Sequence, residues 1–452
     1  MATREDVRKE MERDGIKFIL TQFVDINGAA KVKLVPVTSF DNVVDDGAGF
    51  AGGSLHGMGQ GPHSHDMMAR IDIDTYTPLP WDPTVARFAS DLFVDGEVHP
   101  YCSRQNIKRV LGKAREEGYI FYVGVEPEHF LVLRNDDGSI RIFDPADVDH
   151  LEKPCYDFKG ISGVMEYLKE MTDGLNKLGW GVYQSDHEDG TGQYEINFHY
   201  ADALITADRY TFFKMMTSQV ARKHGAIATH MPKPFADRTG SAAHIHFHIA
   251  DAKTGENLFL DEEDPQGLGL SEMAYHFIGG ILHHARALCC VNSPTVNCYK
   301  RLQMGAALRG SRSGFLWTPA FISYGDNNRT QMIRTAGPGH LEDRTLSAAC
   351  NLYLSLATYV QAGLDGVRRK LDPGKANFEN TYALGLDEIA RRGIKMLPQS
   401  LYEALQELKK DQVVQEALGP IYQEFVQVKE QEWADYHRQV TEWEIDRYLT
   451  MF

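Results

Sequence analysis

The sequence predicts an α+β protein with a small N-terminal domain and a larger mixed one, and three observations carry that reading. The first hundred residues are mostly short extended segments broken by turn residues, the remainder alternates extended segments with long helical ones, and a new helix opens where the pattern changes. At 452 residues, 43% hydrophobic and 24% charged, the chain is long enough for sizeable cores, and its composition excludes a purely disordered scaffold. Lys+Arg 47 against Asp+Glu 63 gives a formal charge of −16, which repels phosphate backbones and anionic lipid. No nucleic-acid or membrane partner is expected. The opening residues mix both charge signs with no apolar run, and no stretch supplies the ~18 apolar residues of a spanning helix, so a cytoplasmic protein is expected. Six cysteines without CxxC spacing read as reduced and mostly buried.

In chain order, a short amphipathic helix over 4–13 precedes extended segments at 18–24 and 30–36, joined by an Asn27–Gly28 turn; this is a hairpin. Gly47-Ala-Gly-Phe-Ala-Gly-Gly53 is a loop, and 70–76 and 85–94 are further extended pieces. A helix over 105–117, capped by Ser103, opens the second domain, so the domains run 1–105 and 106–452. There, extended segments at 122–133, 181–185, 195–199, 243–249 and 332–335 alternate with helices at 164–178, 210–224, 272–288, 352–371, 388–392 and 400–409. The last stretch, 420–449, carries Trp433, Tyr436, Trp443 and Tyr448 among charges and reads as one long amphipathic helix.

Three clusters carry chemistry. In Tyr122-Val-Gly-Val-Glu126-Pro-Glu128 the period of a strand projects both carboxylates from one face, where they repel each other unless a cation lies between them. A solvated edge is the plainer alternative, favoured by Pro127. In His187-Glu-Asp-Gly-Thr-Gly-Gln-Tyr-Glu195 the glycines let Glu188 and Glu195 converge, although a polar surface loop has the same composition. Ala243-His-Ile-His-Phe-His-Ile249 alternates strictly, with His244, His246 and His248 on one face and Ile245, Phe247 and Ile249 on the other. Three imidazoles on one face suggest a metal or an anion; a zinc hydrolase uses the same His-x-His pair, and a lone histidine is usually a core residue. A basic set, Arg301, Arg329, Arg334 and Arg344, adds guanidinium groups suited to phosphates and a carboxylate, unless each is a surface ion pair.

Taken in order, these segments resemble the glutamine synthetase superfamily over almost the whole chain, and most closely its type III-like and γ-glutamylmethylamide synthetase branches. The matches are Glu126-Pro-Glu128, Gly192-Gln-Tyr-Glu195, Met231-Pro-Lys-Pro234 followed by Gly240-Ser-Ala-Ala-His244-Ile-His246, Tyr299-Lys-Arg301, Asn328-Arg329, Glu342-Asp-Arg344 and Ala362-Gly-Leu-Asp-Gly366. The resemblance implies an N-terminal β-grasp domain, a catalytic domain built on a curved antiparallel sheet with surrounding helices, and a homo-oligomer of stacked rings (a decamer or dodecamer) with active sites between subunits. It implies ATP and two or more Mg²⁺ or Mn²⁺ ions, one held by Glu128, Glu188 and Glu195, another by Glu126, His244 and Glu342. His246, Arg329 and Arg334 would hold phosphates, and Gly240, His244, Arg301 and Arg344 the L-glutamate, with Arg329 and Arg344 also counted as catalytic.

The reaction this implies phosphorylates the γ-carboxylate, after which an amine displaces phosphate. Two metals and flanking arginines neutralise the charge that gathers during transfer. Ammonia-using members carry an aspartate in a Phe-Asp-Gly-Ser-Ser loop and a glutamate six residues beyond the substrate arginine. Here the loop reads Phe50-Ala51-Gly52-Gly53-Ser54 and the second position is Ala307. Losing both carboxylates removes the selection for a small cation and leaves apolar room worth ~0.8 kcal/mol per CH₂ buried. The expected second substrate is therefore a small alkylamine, methylamine foremost, with ammonia the alternative. Asp326 or Asp343 would take the amine's proton. Thr345-Leu346-Ser347 and Thr239 depart from the family pattern around the glutamate site. A non-catalytic member of the fold is disfavoured because all six metal-ligand positions hold competent residues.

Overall fold

The computed structural model describes residues 2–303 and 315–452. The N-terminal sheet has seven strands, five of them running in space from Ala30–Pro36 through Phe18–Val24, Asp82–Val94 and Met67–Ile71 to Ala48–Phe50. The expected hairpin pairs Phe18 with Pro36 and Val24 with Ala30. Its turn requires Gly28, which has φ +78°, and a Cβ there would lie 2.7 Å from the Asn351 backbone. Helix Arg4–Asp14 turns Val7 and Met11 onto Ile19, Phe40 and Phe88. The extended piece expected over 70–76 ends at Ile71, because the Asp72 carboxylate accepts from the Asp74 N–H and folds the chain into a short 3-10 turn, Ile73–Thr75.

A ten-stranded sheet carries the rest. Its main path runs Val182–His187, Gln193–Phe198, Tyr119–Arg134, Ala243–Asp251, His340–Asp343, Ile333–Gly337, Tyr324–Gly325, antiparallel except for the last pair. Strand Tyr119–Arg134 pairs with the histidine strand up to Pro127 and with Gln193–Phe198 from Glu128 onward. The missing proline N–H thus falls where the partner changes, and the segment is central, not a solvated edge. Helices Ala203–Lys223, Glu272–Asn292 and Leu352–Arg369 supply the core that receives Ile245, Phe247 and Ile249. Phe247 meets Phe121, Phe277 and Tyr359, and each such ring buried contributes roughly 2–3 kcal/mol.

Two expectations change at helix ends. The helix expected over 105–117 is Ser103–Glu116, and Ser103 is inside it; Cys102 holds the cap position without a side-chain bond. The Ser103 hydroxyl instead accepts from Asn351 Nδ2 (3.0 Å), which also reaches the hairpin carbonyl of Ile26. The C-terminal stretch is two helices, Ile421–His437 and Glu442–Tyr448, because Thr441 and Glu444 form a reciprocal cap that restarts the chain. Trp443 and Tyr448 are exposed.

A largely buried ion network ties the N-terminal sheet to helices Ser103–Glu116, Ala203–Lys223 and Leu352–Arg369. Arg104 donates to Asp208 (2.9 Å, twice), Asp91 (3.1 Å) and Asp72 (2.9 Å), Lys108 to Asp91 (2.7 Å) and Asp72 (3.2 Å), and the Tyr353 hydroxyl to Asp208 (2.6 Å). All six cysteines are unpaired, five of them buried. Among the described residues, no helix is long and apolar enough to cross a membrane.

Candidate active site

Strand register assembles the site. Glu195 lies opposite Glu128, His244 opposite Glu126, and His246 opposite Glu342, so one row across the sheet carries four carboxylates and two imidazoles. A turn bonded from Glu188 N–H to the Gln193 carbonyl brings Glu188 to the same row. The row borders a cavity of about 520 Å³ that Glu126, Glu128, Glu188, Glu195 and His244 line. His246 Nε2 stands 3.0 Å from Glu126, and His244 Nδ1 stands 3.5 Å from Glu126 and 3.7 Å from both Glu128 and Glu342. Two groups keep their ligand atoms within 4.8 Å of one another: Glu126, Glu195 and His244, and Glu126, His246 and Glu342. Glu126 belongs to both groups, and His246, expected at the phosphates, is a member of the second.

Electrostatics explain what the row lacks. Glu342 accepts from Arg334 (2.7 Å) and Arg344 (2.6 Å); although burial opposes ionisation, Arg344 and the imidazoles hold its carboxyl down to about 2. Burial likewise disfavours a charged Glu126, and His244 and His246 outweigh it. Among the described residues, no lysine or arginine comes within ion-pair distance of Glu128, Glu188 or Glu195. Burial, then the neighbouring Glu128, pushes Glu188 up to about 8, and burial with Glu126 pushes Glu195 well above the carboxylate range. Crowded, buried carboxylates with no counter-charge are built for cations. Oxygen donors with one or two imidazoles suit Mg²⁺ or Mn²⁺, not zinc. The Cys155 thiol also lines the cavity, but burial and Glu188 push it up to about 12, so it is a neutral thiol and a weak ligand.

The basic residues fall around this row. Arg329, Arg334, Arg344 and Arg301 all line the cavity. Arg301 is fully buried and donates to the carbonyls of Thr345 (3.1 Å) and Arg344 (2.9 Å), while its Nε has no partner among the described residues. Gly240 is pressed against it: a Cβ there would stand 2.9 Å from Arg301 Cγ and 2.4 Å from the Pro232 carbonyl oxygen.

Neither expected proton acceptor reaches the cavity. Asp343 follows Glu342 on one strand and so faces the opposite side, where it accepts from the Thr345 N–H (2.6 Å) and hydroxyl (2.5 Å). Asp326 lines a separate cavity with Glu262 and Asp264. His248, third on the histidine face, is away from the carboxylates and stacks with Tyr122 (5.4 Å), against the edge of Tyr200 (5.6 Å). Ala307 lies outside the described residues.

Several cavity residues escaped the sequence reading. Trp317 donates its indole N–H to Asp189 (2.7 Å) and packs on Phe315 (5.3 Å), while Tyr156 lines the same cavity. Trp317 (φ +57°) and Tyr156 (φ +62°) adopt the left-handed backbone that side chains rarely take, a strain that clusters at functional sites. Asp189 could have been found beside Glu188; nothing in the local pattern marked Trp317. His340 Nε2 meets His246 Nδ1 at 2.8 Å and orients that ring.

Comparison with known proteins adds a family. Residues 100–448 match the glutamine synthetase catalytic domain and residues 15–95 the glutamine synthetase β-grasp domain. The chain is 45% identical to the glutamate–methylamine ligase of Methyloversatilis universalis over 99% of each chain. It is 39% identical to a glutamine synthetase of Rhizobium meliloti over 95% of this chain and 96% of that one. It is also similar to a GmaS/ADP complex, with a TM-score of 0.91 at 40% identity over 98% of this chain and 99% of that one.

Proposed function

The chain belongs to the glutamine synthetase family and is a glutamate–amine ligase; from that premise we propose that it joins the γ-carboxylate of L-glutamate to methylamine, or a similar small alkylamine, at the expense of ATP. The product is γ-glutamylmethylamide, with ADP and phosphate. The observation that carries the choice of amine is the Trp317–Asp189 pair in the cavity wall, an aromatic face for a methyl group beside a carboxylate for an ammonium.

In this reading Glu128, Glu188 and Glu195 would hold one divalent ion, and Glu126, His244 and Glu342 another; the ligand atoms that already stand together are those of Glu126, Glu195 and His244 and of Glu126, His246 and Glu342. Bound Mg²⁺ or Mn²⁺ supplies charge neutralisation for a transferring phosphoryl group. Arg334 and Arg344, fixed by Glu342, direct positive charge at the same place without reorganising, and Arg329 adds to it from the cavity wall. Arg301 and the Gly240 backbone take the glutamate carboxylate, with His244 nearby. The open aromatic ledge of Tyr122, Tyr200 and His248 offers stacking for the nucleotide base next to the His246 end. Asp189 replaces Asp326 and Asp343 as acceptor of the alkylammonium proton, because it reaches the cavity and they do not. Tyr156, Phe315 and Trp317 line the cavity with aromatic surface that keeps water from an acyl phosphate.

Among the described residues, those that line the cavity fall between Glu126 and Arg344, and none comes from the loop Phe50–Ser54. That supports a homo-oligomer of stacked rings, a decamer or dodecamer, in which residues 1–105 of one copy complete the site in 106–452 of the next. Unpaired, mostly buried cysteines suit a cytoplasmic enzyme. A second reading, glutamine synthesis from ammonia, draws on Asp189, which can hold ammonium as well. Phosphate release with ATP and glutamate across an amine panel decides: methylamine is expected to give a higher kcat/KM than ammonium, and the reverse order makes the chain a glutamine synthetase.

A further inference from the structure

The carboxylate row and the loop around Gly240 meet at a buried amide, Gln193, which lies inside the His187–Glu195 segment but is given no role there. Gln193 is 1% exposed and begins the strand Gln193–Phe198. Its Nε2 donates to Glu128 Oε2 (2.8 Å) and to the Gly240 carbonyl (3.2 Å), and its Oε1 accepts from the Thr239 hydroxyl (2.8 Å) and the Gly190 N–H (3.2 Å). Both amide hydrogens and both oxygen lone pairs are used. The orientation follows from the partners, since a carboxylate and a carbonyl can only accept and an N–H can only donate.

This geometry ties two binding elements together. Glu128 Oε2 also accepts from the Ala242 N–H (2.9 Å), so two fixed donors hold that oxygen while Oε1 faces His244 at 3.7 Å. Gly240 has no slack either, wedged between the Pro232 carbonyl and Arg301. A shift of Glu128 therefore pulls the Thr239–Gly240 segment, and a ligand that settles one settles the other. We propose that Gln193 is a positioning residue that couples divalent-cation binding at Glu128 to glutamate binding at Thr239–Gly240, each tightening the other. The identity of the two ligands rests on the ligase reading; the joint itself rests on the four hydrogen bonds. Such coupling is reciprocal by linkage.

The test is Mn²⁺ binding to the full-length assembled protein, followed by electron paramagnetic resonance without nucleotide, with and without L-glutamate. Wild type is expected to bind Mn²⁺ about fivefold or more tightly when glutamate is present. Gln193→Met should weaken Mn²⁺ binding about tenfold and reduce the glutamate effect to less than twofold. Thr239→Val spares the bond to Glu128, so it should keep Mn²⁺ affinity within about twofold, reduce the glutamate effect, and raise the KM for glutamate more than it lowers kcat. Wild-type Mn²⁺ binding indifferent to glutamate, or Gln193→Met retaining the full effect, overturns the proposal. If Gln193→Met loses its circular dichroism, Thr239→Val decides alone. Failure of the ligase reading is a different result, wild type releasing no phosphate from ATP with glutamate and any amine.

Discussion

Arg104 and Glu195 each sit in a buried cluster of acids, and the two clusters differ in one respect. Around Arg104 every carboxylate meets a cation: Asp72 and Asp91 have Arg104 and Lys108, and Asp208 has Arg104 with the Tyr353 hydroxyl added. Around Glu195 the acids meet one another, and Glu128, Glu188 and Glu195 have no lysine or arginine beside them among the described residues. A balanced cluster joins the N-terminal sheet to the helices packed on it and needs nothing further. An unbalanced one is complete only with a ligand of opposite charge, because burial and the neighbouring carboxylates otherwise push the Glu188 and Glu195 carboxyls toward their neutral forms.

Four substitutions sharpen or break this contrast. The largest effect is expected on activity: Glu195→Gln should lower methylamine-dependent phosphate release by ~100-fold or more, since a carboxylate proposed to bind a divalent ion is lost. Its melting temperature in EDTA should not fall, because no cation loses a partner. A drop of several degrees would make Glu195 a structural residue and erase the contrast. Next, Arg104→Ala leaves Asp208 with no cation and Asp72 and Asp91 with Lys108 alone, and should cost ~3–5 kcal/mol of stability, read as a lower urea midpoint. An unchanged midpoint would remove the network from the scaffold.

Trp317→Ala tests the cavity wall. The ratio of kcat/KM for methylamine to that for ammonium should fall about tenfold, the worth of a methyl contact and a cation–π face. A ratio that stays constant would detach amine choice from the indole. The smallest effect concerns a balanced imidazole: His284 lies 2.6 Å from Asp411 and 3.1 Å from Asp365, with His283 and Arg369 nearby. Burial works against its charge, but the two aspartates raise its pKa above the ordinary histidine value. A raised folded-state pKa contributes stability that is complete below the unfolded value and lost as pH rises through the folded one. Melting temperature should therefore decline by a few degrees at most from pH 6 to pH 9 in wild type, and this step should be missing in His284→Gln.

Much of the site was readable because strand chemistry is local. Alternation by itself put Glu126 with Glu128, and His244 with His246, since neighbours two apart must share a face. The same rule, applied to Glu342-Asp343-Arg344, already argues against Asp343 as a cavity base once Glu342 is assigned inward. What resisted reading were the places where a short polar side chain redirects the backbone, as Asp72 and Thr441 do, and the places where distant segments meet.

The sequence by itself determined the α+β class, most of the longer strands and helices, and which acids and histidines share a strand face, because these depend on periodicities of two and 3.6 residues within single segments. Tertiary structure alone decided that Trp317 reaches Asp189 across 128 residues of chain, that Gln193 bridges Glu128 to Gly240, and that Asp326 belongs to another cavity. Those outcomes depend on how sheet register and loop closure bring remote segments together, and no local pattern encodes a distance between side chains that only packing creates.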